Sequence, residues 1–307
     1  MDTNTANQSG PARKINRLCT LLLVAFVLGG FTPGSASADE PRVVATDALN
    51  VRSCPAITCD IIGRVELDQT LDITGDPIEG FLPVNWGSEN GFVYSLFVNR
   101  DGIAPWFREG DPSCRRVALI FDIGVGHAPS ERIVQTLLAY GADATMFPMG
   151  QWALENPGFL QLLAASGFPI GTHGHGSVSL PSLPGPAIEY DLATSIEAIE
   201  SVTGQPIDPY FTPYAADTSE LVRQTASDLG LLPVGWEVSG DDYGHDATAD
   251  SVYRRVMNNV YPGAIVELHL DGPATDWSTA DALASIIEDL WANGYELVTV
   301  PELVNPC

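Results

Sequence analysis

From residue 116 to residue 300 the chain repeats one unit, a short apolar run followed by a stretch of helical periodicity, and few folds satisfy that repeat. Consecutive parallel strands need a crossover, and a helix supplies it, so the pattern predicts an α/β fold: a parallel (β/α) barrel or a doubly wound sheet. The spacing predicts strands over 116–122, 144–148, 168–172, 210–214, 231–238, 264–270 and 296–300. Between them it predicts helices over 130–140, 152–165, 252–260 and 280–292, and one bearing Leu192, Ile196, Ile199 and Val202. Asp217-Thr218-Ser219-Glu220 has the form of a capping box opening a further helix. In both architectures the functional site lies at the C-terminal strand ends. All five histidines, His127, His173, His175, His245 and His269, fall at or just beyond such ends, together with Asp122, Asp241, Asp242 and Asp271. Imidazole titrates near neutral pH and is the commonest metal ligand, so this rim is the place to look for chemistry.

Residues 41–99 have a different texture, short alternating runs broken by turns, which predicts a small all-β barrel. A linker over 100–113, with Gly102, Pro105, Gly110 and Pro112, separates it from the α/β domain over 114–307. A fragment starting near Asp111 is therefore expected to fold alone.

Ahead of both, Arg13, Lys14 and Arg17 precede an apolar run and then Ala36-Ser37-Ala38, the order of a secretory signal over 1–38 cleaved before Asp39. An uncleaved anchor is the alternative, although the apolar run is short for a lasting membrane span. The expected location is secreted, extracellular or associated with the cell wall. Cleavage leaves eleven arginines, no lysine and thirty-eight acids. Such a chain is repelled by nucleic acid and anionic surfaces, so a neutral or cationic partner fits better. Four cysteines remain, an even number in an exported chain. Of three possible pairings the preferred one joins Cys54 to Cys59 and Cys114 to Cys307, the latter closing a loop that contributes ~5 kcal/mol on a chain-entropy account.

Side chains alternate along a strand, so Asp122 ends the row Ala118, Ile120, Asp122 and points where a barrel interior opens. On the row Ile265, Glu267, His269 an acid lies beneath an imidazole, an arrangement that raises basicity and suits a general acid near neutral pH.

Several ordered motifs carry a resemblance. Val117-Ala118-Leu119-Ile120-Phe121-Asp122-Ile123-Gly124, Ile170-Gly171-Thr172-His173, Tyr210-Phe211-Thr212-Pro213-Tyr214, Trp236 through Tyr243, and Pro262 through His269 resemble the polysaccharide deacetylases of carbohydrate esterase family four. The resemblance implies a deformed (β/α) barrel that removes acetyl groups from N-acetylated cell-wall or chitin-like glycans, using zinc or another divalent metal held by one Asp and two His. It makes Asp122 the catalytic base, His173 a metal ligand and His269 the catalytic acid. Yet the metal aspartate position holds Ile123, the second metal histidine position Ser177, the arginine position Thr212, and the aspartate that tunes the acid Ser239.

Two readings follow. Either the metal site is rebuilt from His173, His175 and Asp122, with Glu267 or Glu237 as the tuning acid, or the domain is a silent glycan binder that needs no metal, with Tyr214, Tyr243 and Trp277 as stacking platforms. Leu49 through Ser53, Ile62-Gly63 and Gly91 through Ser95 likewise resemble the bacterial SH3-like domain, which implies a tether to cell wall or another surface.

Overall fold

The computed structural model describes residues 41–307, apart from Asp47 and Asp101. The expected signal segment, 1–38, lies outside the described residues. No helix among the described residues is long and apolar enough to cross a membrane.

The N-terminal part is a small antiparallel β region: β1 (Arg42–Val43), β2 (Ala48–Arg52), β3 (Ile61–Glu66), β4 (Phe81–Trp86), β5 (Glu89–Tyr94) and β6 (Val98–Asn99). Four strands form one sheet in the order β3-β2-β5-β4, and β1 pairs with β6. Alternation decides which face is covered: Leu49 and Val51 of β2 turn inward onto Val65, Val84 and Val93. Gly63 is needed in β3 because a Cβ there would lie 2.3 Å from the ring of Trp86. Around Thr70 pairing is limited to single bridges, Arg42 with Thr70 and Ile73 with Val84.

The α/β part begins with β7 (Arg116–Ile123) and continues through α1 (Glu131–Tyr140), β8 (Thr145–Pro148), α2 (Gly150–Glu155), α3 (Pro157–Ala165) and α4 (Gly185–Thr203). It proceeds through β9 (Tyr210–Phe211), α5 (Glu220–Asp228), β10 (Leu232–Pro233), β11 (Val238–Ser239), α6 (Ala249–Asn259), β12 (Ile265–His269), α7 (Thr279–Ala292), β13 (Glu296–Val298) and α8 (Val300–Leu303). All its strand ladders are parallel. β7, almost wholly buried, pairs with β12, with β8 along its C-terminal half and with β13 along its N-terminal end. From β8 the circuit passes by single bridges, Met146 to Ile170 and Thr172 to Phe211, into β9 and β10. One stretch of chain then closes the ring, because β10 pairs with β9 while β11, five residues further on, pairs with β12. This is a barrel whose ladders are short on one side, the deformed form expected.

Several boundaries move for identifiable reasons. The helix expected over 152–165 is two, because Pro157 cannot donate a backbone hydrogen bond and starts α3 instead. The strand expected over 168–172 survives only as bridges at Ile170 and Thr172. The one expected over 210–214 stops at Phe211, before a turn in which Ala215 and Ala216 both have φ of 55°. The cap of α5 is Ser219, which accepts from the Val222 amide, and the reciprocal capping boxes occur at Thr248 and Thr299.

The segment 100–113 is packed on the barrel. Phe107, 5% exposed, donates its amide to Pro233 and accepts from Gly235, and the Gly110 amide donates to Gly263. Phe107 shares a core with Ile120, Phe147, Leu232 and Val304 and also with Val44 and Ala45 of the β region. The Tyr94 hydroxyl donates to the Val304 carbonyl across the same seam. Disulfides join Cys54 to Cys59 and Cys114 to Cys307.

Candidate functional site

The register of the central ladder sets His269, the last residue of β12, beside Asp122, one residue before the end of β7. Both line a pocket of roughly 410 Å³ at the C-terminal strand ends, with Ile123, Met149, His173, Tyr214, Trp236, Tyr243 and Glu267. The alternation that points Asp122 into the barrel mouth also places Glu267 next to His269.

The His269 imidazole is clamped from below. Its Nδ1 lies 2.9 Å from Asp242 Oδ1 and 3.2 Å from Glu267 Oε1, and its backbone amide donates to Asp242 Oδ2. The Thr279 hydroxyl donates to Asp242, and the Ser239 hydroxyl donates to Glu267. Burial opposes a charged ring, but the hydrogen bond and charge of Asp242, with the charges of Glu267 and Asp122, outweigh it and push the pKa up to about 10. His269 is therefore an imidazolium at neutral pH, with its Nε2–H unengaged by any described residue.

His173 is its opposite. Its Nδ1 lies 3.1 Å from the Thr212 carbonyl oxygen and 2.8 Å from Thr212 Oγ1. A carbonyl can only accept, so Nδ1 carries the hydrogen, and the Thr212 hydroxyl passes the chain on by donating to Asp122 Oδ1 at 2.8 Å. Burial, then the nearby positive charge of His269, hold the His173 pKa down to about 3. The neutral ring keeps a lone pair on Nε2. Asp122 is 1% exposed and its proton affinity is well above the usual carboxylate range, first through burial and then through the charge of Glu267. Thr212 and the His269 cation pull the other way. Its Oδ2 receives no hydrogen bond from the described residues.

Asp271, fully buried, shapes the wall of the pocket. Its carboxylate accepts from the amides of Gly124 and Gly126 and so fixes the loop that follows β7. Across that loop the Met149 amide donates to the Ile123 carbonyl, and the Ser177 hydroxyl lies 3.8 Å from Met149 Sδ. Two positions where the resemblance implies metal ligands, Ile123 and Ser177, thus lie against one methionine. A divalent ion does not fit here. Among the described residues only two groups bring three ligand atoms together, Asp242 with Glu267 and His269, and Asp111 with Cys114 and Cys307. The first is spent on holding the His269 proton, the second contains a disulfide, and neither includes His173.

The set expected from a rebuilt site, His173 with His175 and Asp122, does not assemble. It required an extended chain between the two histidines, and Gly174 at φ +80° turns that chain instead. His175 packs away from the pocket, with its amide on Asp191 and its Nδ1 buried without a partner beside Gly150. Glu237 pairs with Arg108 outside the pocket, so Glu267 and Asp242 are the acids on His269. Tyr214 and Tyr243 line the pocket, their rings about 6 Å from those of His173 and His269, whereas Trp277 does not line it and Trp236 does. His127 and His245 meet each other, ring centroids 6.1 Å apart, outside the pocket lining. The roles of Asp242, Met149 and Asp271 were not legible from residue order. Asp242 carried only the signal of a carboxylate at a strand end.

Residues 109–234 match the Polysaccharide deacetylase family. The chitooligosaccharide deacetylase of Azorhizobium caulinodans is 26% identical over 197 residues, covering 60% of this chain and 92% of that protein. The crystal structure of wild-type BA3943, described as a CE4 family pseudoenzyme from Bacillus anthracis, superimposes with a TM-score of 0.60 at 26% identity, covering 65% of this chain and 69% of that one. A mutant of BA3943 described as having restored enzymatic activity gives 0.61 at 27% identity, over 65% and 71%. Over residues 109–234 the α/β part of this chain is thus similar to the polysaccharide deacetylases, and it has the fold of the carbohydrate esterase family four structures.

Proposed function

We propose that this protein binds cell-wall or chitin-like glycans without hydrolysing them, as an exported polysaccharide-deacetylase-type pseudoenzyme held near its target by an SH3-like N-terminal module. The observation that carries the reading is the ligand set: Ile123 and Ser177, tied to Met149 by a backbone and a hydroxyl–sulfur hydrogen bond, offer no metal ligand, and no group of three ligand atoms among the described residues includes His173, where a catalytic zinc needs three protein ligands. The rest of the pocket keeps what sugar binding requires. Tyr214, Trp236 and Tyr243 offer ring faces, and Asp122, His173 and His269 offer convergent polar atoms. BA3943 shows that a protein of this fold is described as a pseudoenzyme.

The competing reading, residual acetyl hydrolysis, needs an activated water, and no arrangement of the described residues supplies a metal to activate it. Incubation with chitin oligomers is expected to release no acetate while calorimetry reports saturable binding. Ile123→Asp together with Ser177→His, with Met149→Ala to clear the space, is expected to recruit zinc to His173. Acetate released by the wild-type chain would defeat this reading.

A further inference from the structure

Resting on the glycan-binding reading, we infer that the pocket selects a de-N-acetylated amino sugar, whose protonated amine lies between Asp122 Oδ2 and His173 Nε2, over its N-acetylated counterpart.

Three carboxylates, Asp122, Asp242 and Glu267, surround one imidazolium, and no arginine or lysine lines the pocket. Asp242 is filled by the amide and Nδ1 of His269 and by Thr279, and Glu267 by Ser239 and His269. Asp122 differs. Thr212, which stands where the resemblance implies an arginine, donates to its Oδ1, and His173 Nδ1 lies 3.4 Å from that same oxygen. Asp122 is buried and lines the pocket, and its Oδ2 has no donor among the described residues.

His173 adds a second acceptor, since its Nδ1 hydrogen is committed to Thr212 and its lone pair is on Nε2. The pocket thus presents two acceptors and, besides His269, no cationic side chain, where the fold's usual cation has lost its ligands. An ammonium supplies three donors and a charge, and charge-assisted bonds to a buried carboxylate are the strong ones. An acetamide supplies one N–H and no charge, which leaves one acceptor unfilled and adds a carbonyl and methyl to place. A sugar hydroxyl can take the free Nε2–H of His269, and Tyr243 and Trp236 remain for the ring face.

Calorimetry on the full chain tests this with two ligands, a glucosamine tetramer and an N-acetylglucosamine tetramer, near physiological ionic strength at a pH where the amine is protonated. The amine tetramer is expected to bind one per chain at least about tenfold tighter than the acetylated one, and Asp122→Asn to abolish that preference. The wild-type comparison decides the matter even where that variant fails to fold. Acetylated tetramer binding as tightly or more tightly overturns the inference while leaving the glycan reading intact. Binding of neither tetramer overturns both. Spermine bound as tightly as the amine tetramer at the same stoichiometry also overturns it, by tracing the affinity to the acidic surface.

Discussion

Two imidazoles in one pocket hold opposite charge states, and burial together with the charges around each ring explains it. Nδ1 of His269 faces Asp242 and Glu267, whereas Nδ1 of His173 bonds to the Thr212 carbonyl and hydroxyl, with Asp122 Oδ1 3.4 Å away, where burial and the His269 cation disfavour a second charge. A ¹⁵N titration of the imidazoles is expected to find His269 protonated well above neutrality and His173 neutral well below it; ordinary titration of His269 near its reference pKa of about 6.5 would contradict the clamp. Linkage fixes the effect on stability. The raised pKa of His269 contributes stability that is complete below about pH 6.5 and is lost as pH rises through about 10. The depressed pKa of His173 costs stability as pH falls from about 6.5 toward 3. The urea midpoint of the pair's contribution should therefore peak near neutrality, and Asp242→Asn should flatten its alkaline arm. At this scale the sequence was half legible. Strand alternation brought Asp122, Glu267 and His269 together, but pairing His175 with His173 assumed an extended chain that Gly174 does not allow.

Among the elements, β7 and β12 were readable because each is a mostly apolar run buried on both faces, broken only by Arg116 and Asp122 in β7 and by Glu267 and His269 in β12, the signature of a central parallel strand. The other side of the barrel was not. There the ladders shrink to bridges at Ile170 and Thr172 and to two-residue pairs, lengths too short to leave a period. The turn after β9 carries a cost visible only in the structure, since Ala215 and Ala216 line the pocket in the left-handed region that L residues avoid. Ala215→Gly should raise stability by roughly 1 kcal/mol, read as a higher thermal midpoint. A lowered midpoint would show that the alanine methyl packs more than the backbone resists.

At the scale of the whole chain, the change of texture near residue 100 marks where architecture changes but not where folding units separate. Composition could show Gly and Pro in 100–113, yet it could not show that Phe107 enters the ring of strands or that Val44 and Ala45 cover the core beneath it. A fragment starting at Asp111 loses all three and the Tyr94 bond to Val304. It is expected to be far less stable than the full chain, since removing a buried aromatic alone costs about 3–5 kcal/mol. Equal urea midpoints for fragment and full chain would restore the view of a free tether. The Cys114–Cys307 disulfide holds the chain end whose Val304 packs on that seam, so the two parts are joined by the tail as well as by the linker.

The claim on which the account turns is that the inherited metal site is gone, and zinc titration of the purified full chain by calorimetry, with elemental analysis of the same sample, addresses it directly. The account predicts no stoichiometric zinc on the wild-type chain and no change on His173→Ala. One zinc per chain, lost on His173→Ala, would contradict it.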